Sequence, residues 1–320
     1  MLELSVLVPF VPRRPEQVLP FAGLVNWTAA ARLWQGQSLV LEPHQGFAGA
    51  AGAGFRVPVG LGVTLMPLRH PYEAALQARS LALATGHPVI AGFGTGSREL
   101  QANMVGEPYA SPLTLAGEYV RTVRGLLDGE VVRTDGRYLR VHAQLAPAAA
   151  PRVDVGLGVL RPGMARLAGE VADVVITWLT PPSYIRDVLL PAVREGMARA
   201  GRTTPPRIVA MVPVGTTRDG VDPEHLVVAS NAAHLQAPHY LDMLRRAGIE
   251  VTDGDLRAVA RAVAEAGAFV TGDLDTVMKR LEEYRQAGVD EVVLNTTGVH
   301  KVSGAQAAIQ DLKSILGASA

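Results

Sequence analysis

Eight apolar runs of strand length, each followed by helical periodicity, constrain this chain more than any other feature. They lie within 1–14 and at 32–34, 57–63, 88–99, 152–159, 174–178, 207–216 and 291–295. Such runs read as strands buried on both faces of a parallel sheet. Eight of them alternating with helices predict an α/β fold, a (β/α)8 TIM barrel with insertions over its C-terminal face. At 320 residues, 48% hydrophobic and 19% charged, the chain suffices for one such barrel or for two ordinary domains. The alternation favours the barrel, as a single domain over 1–320.

Between the runs, helical patterns cover 15–31, 45–55, 72–85, 113–127, a segment from 162 and a final helix from 305. The stretch 219–276 is too long for one helix and reads as several. Residues 128–145 carry Asp-Gly turns flanking short alternating runs, which predicts a hairpin set over the barrel mouth as a cover for the substrate. No internal sequence repeat is visible.

Charge and cysteine content exclude several classes. Thirty basic residues balance thirty acidic ones, so there is no global case for a nucleic acid or an anionic membrane as partner. Cysteine is absent, which removes disulfides, thiolate metal sites and cysteine nucleophiles together. The N-terminal apolar run is too short for a membrane span and has the wrong charge order for a secretory signal. It reads as the first strand of a cytoplasmic protein.

Several loops after the strands carry candidate chemistry. In Val57–Pro71, VPVGLGVTLMPLRHP, Gly60 and Gly62 interrupt a strand, which marks a bulge or the close approach of a ligand or another backbone; close packing of a neighbouring helix explains them equally. Gly94-Thr95-Gly96 lacks the third glycine of a dinucleotide fingerprint and the Lys of a P-loop, but a barrel places this loop on its C-terminal face. Arg98 and Glu99 are expected to form a salt bridge. Pro162 and Gly163 at the start of a helix leave backbone N–H groups free for a phosphate, with Arg161 adding charge. Gln37 can hydrogen-bond a substrate or ring but cannot act as a general acid. Trp178 is placed to form a pocket wall. His234 and His239, five apart and without a completing carboxylate, do not make a metal set.

The run G-x-L-R-P-x-M-x-x-L-A-G-x-x-A-D at 158–173, then T-W-x-T at 177–180, stands with Arg69-His70-Pro71, Gln37 and Ala200-Gly201-Arg202. This pattern, spread over most of the chain, closely resembles actinobacterial luciferase-like oxidoreductases that use coenzyme F420. The resemblance implies a non-prolyl cis bond at Gly62-Val63 supporting the central ring of a deazaflavin, with Thr64 and Gln37 touching it. It implies that Gly94, Thr95, Gly96 and Ser97, with Leu160, Arg161, Pro162, Gly163 and Met164, hold its tail. Two departures stand out. An acid followed by histidine often ends strand two in the superfamily, where this chain has Gln37-Ser38. Sugar-phosphate dehydrogenases carry a catalytic Glu where this chain has Ser97, which argues against their reaction.

The expected function is hydride transfer from reduced F420 to a C=C or C=N bond of a small molecule or peptide. Related members from peptide natural-product clusters reduce dehydroalanine. His70, Tyr109 and a bound water are the candidate proton sources, and His70 is equally placed to cap the loop. The alternatives are an FMN-dependent monooxygenase with a separate flavin reductase and a non-catalytic deazaflavin-binding barrel. A homodimer is expected from the superfamily.

Overall fold

The computed structural model describes residues 2–252 and 254–319. Met1, Asp253 and Ala320, at the ends of the first strand run and final helix and inside the 219–276 stretch, lie outside the described residues. The strands are β1 (Glu3–Leu7), β2 (Leu33–Gln35), β3 (Val59–Leu65), β4 (Val89–Gly94), β5 (Val132–Asp135), β6 (Arg140–Ala143), β7 (Val153–Gly158), β8 (Val174–Trp178), β9 (Arg207–Thr216), β10 (Val270–Gly272) and β11 (Glu291–Asn295). Eight of them close a parallel ring in the order β1-β2-β3-β4-β7-β8-β9-β11, with β11 returning to β1 and β8 pairing with β9. The TIM barrel expected from the alternation is the fold observed. Among the described residues, no helix is long and apolar enough to cross a membrane.

Two-residue periodicity divides the strands between two cores. Val59, Leu61, Ala91, Phe93, Val155 and Leu157 join the large core shared with the helices. Leu7, Trp34, Ile90, Val174, Ile176, Val209, Met211 and Val293 form a smaller core inside the ring. On β3, β4 and β7 the inward positions toward the C-terminal ends are glycines instead. A Cβ at Gly60 would overlap the Trp34 ring, and one at Gly62 would overlap the Met211 methyl. A Cβ at Gly92 or Gly156 would collide with Ile176, and at Gly94 it would come within 2.8 Å of Val63. These strands are glycine-lined because side chains from elsewhere in the ring occupy their inner face. The pentapeptide Val-Gly-Leu-Gly-Val accordingly occurs twice, at 59–63 and 155–159, with Ala-Gly-Phe-Gly-Thr at 91–95 on the strand between. This short repeat corrects the reading that no repeat is present.

The N-terminal end of the barrel is closed by a buried carboxylate. Glu291, fully buried, accepts hydrogen bonds at Oε1 from Ser5 Oγ (2.6 Å) and Trp34 Nε1 (2.7 Å). Arg32 stands 3.4 Å from Oε1, and Arg207 stands 3.0 Å from Oε2. Arg207 also pairs with Glu3.

Four local readings change. The fourth strand ends at Gly94, and Ser97 caps a helix over Arg98–Val105, its Oγ accepting from the Leu100 N–H at 3.2 Å. No ion pair joins Arg98 and Glu99 among the described residues. A helical segment from Thr297 ends at Gly304, at φ 87°, and the final helix follows from 305 as expected. The short β10 adds to the edge of β9 inside the stretch read as wholly helical. The β5–β6 hairpin exists but is not the cavity cover. The Glu118 carboxylate, on the helix Pro112–Leu127, accepts from the backbone N–H groups of Arg137, Tyr138 and Leu139 and ties the hairpin to that helix.

Candidate functional site

A cavity of about 710 Å³ opens at the C-terminal end of the barrel, within the size range of small-molecule and cofactor sites. Leu7, Val63, Ile176 and Met211 make an apolar floor. The floor has its shape because Gly62-Val63 is a non-prolyl cis peptide, as the resemblance implied. Alternation fails there: Gly62 and Val63 both face the interior, and the β3–β4 register shifts between Leu61 and Thr64. The Gln37 N–H donates to the Val63 carbonyl at 2.9 Å and locks the loop after β2 onto the bulge.

One side of the cavity suits an anion. Gly94, Thr95, Gly96 and Ser97 line it. Gly96 sits at φ 72°, in the left-handed region that favours glycine. The Gln101 side chain, nearly fully buried, donates to the Thr95 and Gly96 carbonyls at 3.0 and 3.1 Å. Ser97 Oγ takes the Leu100 N–H of the Arg98–Val105 helix, and the preceding N–H groups of that helix, just past the cavity-lining Ser97, have no intrahelical acceptor.

The opposite wall comes from the segment after β9. The helix Pro223–Gln236 supplies Ser230, Ala233 and His234, and the next turn supplies Ala237, His239 and Tyr240. The Trp178 ring stacks on His234, with centroids 5.3 Å apart and planes 26° apart, and Tyr240 meets His234 edge-on at 4.9 Å. Burial, reinforced by His239 and Lys301, lowers the His234 pKa to about 4, so its imidazole is neutral at pH 7. Among the described residues no carboxylate lines the cavity, and Lys301 is the only Lys or Arg that does.

Of the residues singled out in the sequence, Gln37, Gly62, Val63, Gly94, Thr95, Gly96, Ser97, Leu160 and Trp178 line this cavity. Others lie elsewhere. Thr64 is fully buried behind the bulge and donates to the Gly92 carbonyl at 3.2 Å. Arg161 pairs with Asp242 at 2.7 Å, and Pro162, Gly163 and Met164 lie beyond the wall that ends at Leu160. His70 is exposed and caps the helix Pro71–Thr85, its Nδ1 accepting from the Tyr72 N–H. Tyr109 packs edge-on against Tyr138 at 5.1 Å, outside the cavity, and burial followed by Tyr138 raises its pKa. Gln37 lines the cavity with its amide already engaged: Arg69 donates to its Oε1 at 2.9 Å, and its Nε2 donates to the Ser38 carbonyl.

Sequence reasoning missed Ser230, Lys301 and the cavity role of His234. A usable signal existed, since Ser230, Ala233, His234 and Ala237 follow the spacing of one helix face.

Residues 13–291 match the family described as luciferase-like monooxygenase. The chain belongs to that family. Among its luciferase-like relatives, the 5,10-methylenetetrahydromethanopterin reductase of Methanolobus tindarius is 26% identical over 253 residues, covering 74% of this chain and 76% of the relative. The F420-dependent glucose-6-phosphate dehydrogenase of Nakamurella multipartita is 32% identical over 160 residues, 48% of this chain and 47% of that protein. The solved coenzyme F420-dependent tetrahydromethanopterin reductase of Methanopyrus kandleri superposes with a TM-score of 0.73 at 20% identity, covering 98% of this chain and 97% of that one. That last likeness establishes the luciferase-like fold.

Proposed function

We propose that this protein is an F420H2-dependent reductase that delivers hydride to a C=C or C=N bond of its acceptor. The observation that carries the reading is the cavity itself: an apolar floor over the cis Gly62-Val63 bulge, with backbone donors at 95–99 at one edge. A flat tricyclic ring fits on Val63 and Ile176, and a phosphate fits at the start of the Arg98–Val105 helix. When bound, the deazaflavin supplies the hydride and reacts poorly with oxygen. The protein's part is to hold the ring flat, exclude water with the Trp178–Tyr240 side and present hydrogen-bond donors to the acceptor. The names of the Nakamurella relative and of the solved reductase support the choice of cofactor.

The acceptor at the finest level is dehydroalanine in a ribosomal peptide. An incubation with such a peptide and reduced coenzyme should add the mass of two hydrogens, and an unchanged mass overturns that choice. The working form is a homodimer. The test of the cofactor is a fluorescence titration of apoprotein with F420 and, separately, with FMN. Tight F420 binding with weak FMN binding is expected. The reverse would favour the monooxygenase reading that the family's name supports, with FMN supplied by a partner reductase.

A further inference from the structure

Lys301 lines the cavity from the helical segment after β11, is exposed, and pairs with no carboxylate among the described residues. Its Nζ donates to the Ala229 carbonyl at 2.9 Å. That bond uses one of the three donors of an ammonium and leaves two. It also fixes where the charge stands, because Ala229 belongs to the helix Pro223–Gln236 and Lys301 therefore spans from the loop after β11 to the wall after β9. The neighbouring wall is apolar. Phe10, Val11 and Pro12, after β1, line the cavity, and Phe10 meets His300 with ring centroids 4.9 Å apart. His239 lines the cavity as well, half-buried, and burial followed by Arg161 lowers its pKa, so it adds no second positive charge at pH 7.

The order of the ring separates Lys301 from the phosphate edge. β4 leads into residues 94–97 and β11 leads toward Lys301, and the two strands stand four places apart in a ring of eight, on opposite sides of the barrel. One phosphate cannot serve both. With the cofactor's tail at the β4 edge and its ring across the floor, an anion at the β11 edge belongs to the other ligand. We infer that Lys301 binds a carboxylate of the acceptor, so that the substrate is an unsaturated compound with an apolar body and a free carboxylate at its outer end. The inference rests on the reductase reading and adds to it the charge of the acceptor; in a peptide it selects a C-terminal or side-chain carboxylate. Charge decides between a carboxylate and a phosphate monoester. One ammonium balances a monoanion, and its two remaining donors match the two carboxylate oxygens. A phosphate dianion would leave one charge unanswered, since no second Lys or Arg lines the cavity among the described residues. No acid there repels the incoming anion either.

The test uses three probes on one frame: 4-vinylbenzoate, 4-vinylbenzamide and 4-vinylphenyl phosphate. Each is titrated by calorimetry into wild type, Lys301→Met and Lys301→Arg saturated with F420, and F420 is titrated into the same three proteins without probe. Wild type should bind the carboxylate about fivefold tighter than the amide, the upper range of a partly exposed ion pair. Raising salt from about 0.05 to about 0.5 M should remove most of that preference. Lys301→Met, which keeps the length without the charge, should bind carboxylate and amide equally, and Lys301→Arg should keep the preference. The phosphate should bind less tightly than the carboxylate, and all three proteins should bind F420 alike; coincident circular dichroism melts confirm that they fold. A carboxylate no tighter than the amide in wild type, an undiminished preference in Lys301→Met, or tighter binding of the phosphate would each overturn the inference. A loss of F420 affinity in Lys301→Met alone would assign Lys301 to the cofactor and overturn it too. Failure of F420 to bind any of the three proteins would instead overturn the reductase reading.

Discussion

Glu291→Gln removes the charge that closes the bottom of the barrel while preserving its shape. Two guanidinium groups face Glu291, and separating a buried pair by removing one partner costs about 3–5 kcal/mol, because the other charge stays behind. The structure sets the expectation at the lower end. Arg207 is 31% exposed at its side chain and keeps Glu3, and its approach to Oε2 lacks hydrogen-bond alignment. Arg32 is only 12% exposed and loses its carboxylate. We expect a loss of about 3 kcal/mol, read as a lower urea midpoint with an unchanged slope. Ser5→Ala deletes one hydrogen bond to the same carboxylate and should cost about 1.5 kcal/mol. Because the two changes share a bond, the double variant should fall short of their sum by about 1 kcal/mol. A Glu291→Gln loss below about 1 kcal/mol, or strict additivity with Ser5→Ala, would show that the network does not hold the barrel floor.

Further outcomes follow from four single sites. Gly92→Ala would drive a Cβ into the Leu61 carbonyl, beside the cis bond, and into Ile176; it should cost about 3 kcal/mol and weaken cofactor binding. Gly52→Ala, with nothing within 4 Å, should be neutral or stabilising by about 0.5 kcal/mol, and equal stabilities of the two variants would contradict this. The His234 pKa is lowered in the folded state to about 4 from 6.5, so as pH falls from 6.5 to 4 the unfolded chain takes up the proton first. Wild type should lose about 2 kcal/mol across that window once partial exposure is discounted, and H234F should not share this portion; identical pH slopes refute it. His70→Ala should cost at most about 1 kcal/mol through the lost cap and leave F420 affinity unchanged in the same titration, whereas a tenfold loss would return His70 to the site.

The barrel was legible because its evidence is local: each buried strand is a short apolar run, and length and alternation suffice to count eight. The cis bond was legible only through resemblance, since nothing in Gly62-Val63 itself requires it. The side chains of the cofactor edge were less legible. Arg161 and Met164 sit beside the cavity in sequence, yet the wall turns away at Leu160, and Arg161 spends its charge on Asp242, 81 residues further along. The helical wall was only faintly legible, through the one-face spacing of Ser230, Ala233 and His234, for a related reason. Ser230 and His234 lie in a stretch whose helices have ordinary composition, and only the docking of that stretch over β8 brings His234 onto Trp178. A glycine's purpose is equally non-local: Gly62 is explained by Met211, on a strand four places away around the ring.

The placement of carboxylates ties these observations together. The nearest acid to the ring edge in sequence is Glu42, and it is not free. Burial pulls its pKa up, but the hydrogen bond and charge of His44 and the charge of Arg69 outweigh that pull and hold it below its ordinary value. Arg69 bridges Glu42, at 2.5 Å, to Gln37, so the acid is consumed in fixing the loop that locks onto Val63. His70 and Tyr109 lie outside the cavity, and among the described residues no carboxylate lines it, so the one acid of this loop serves the architecture of the cavity rather than its lining.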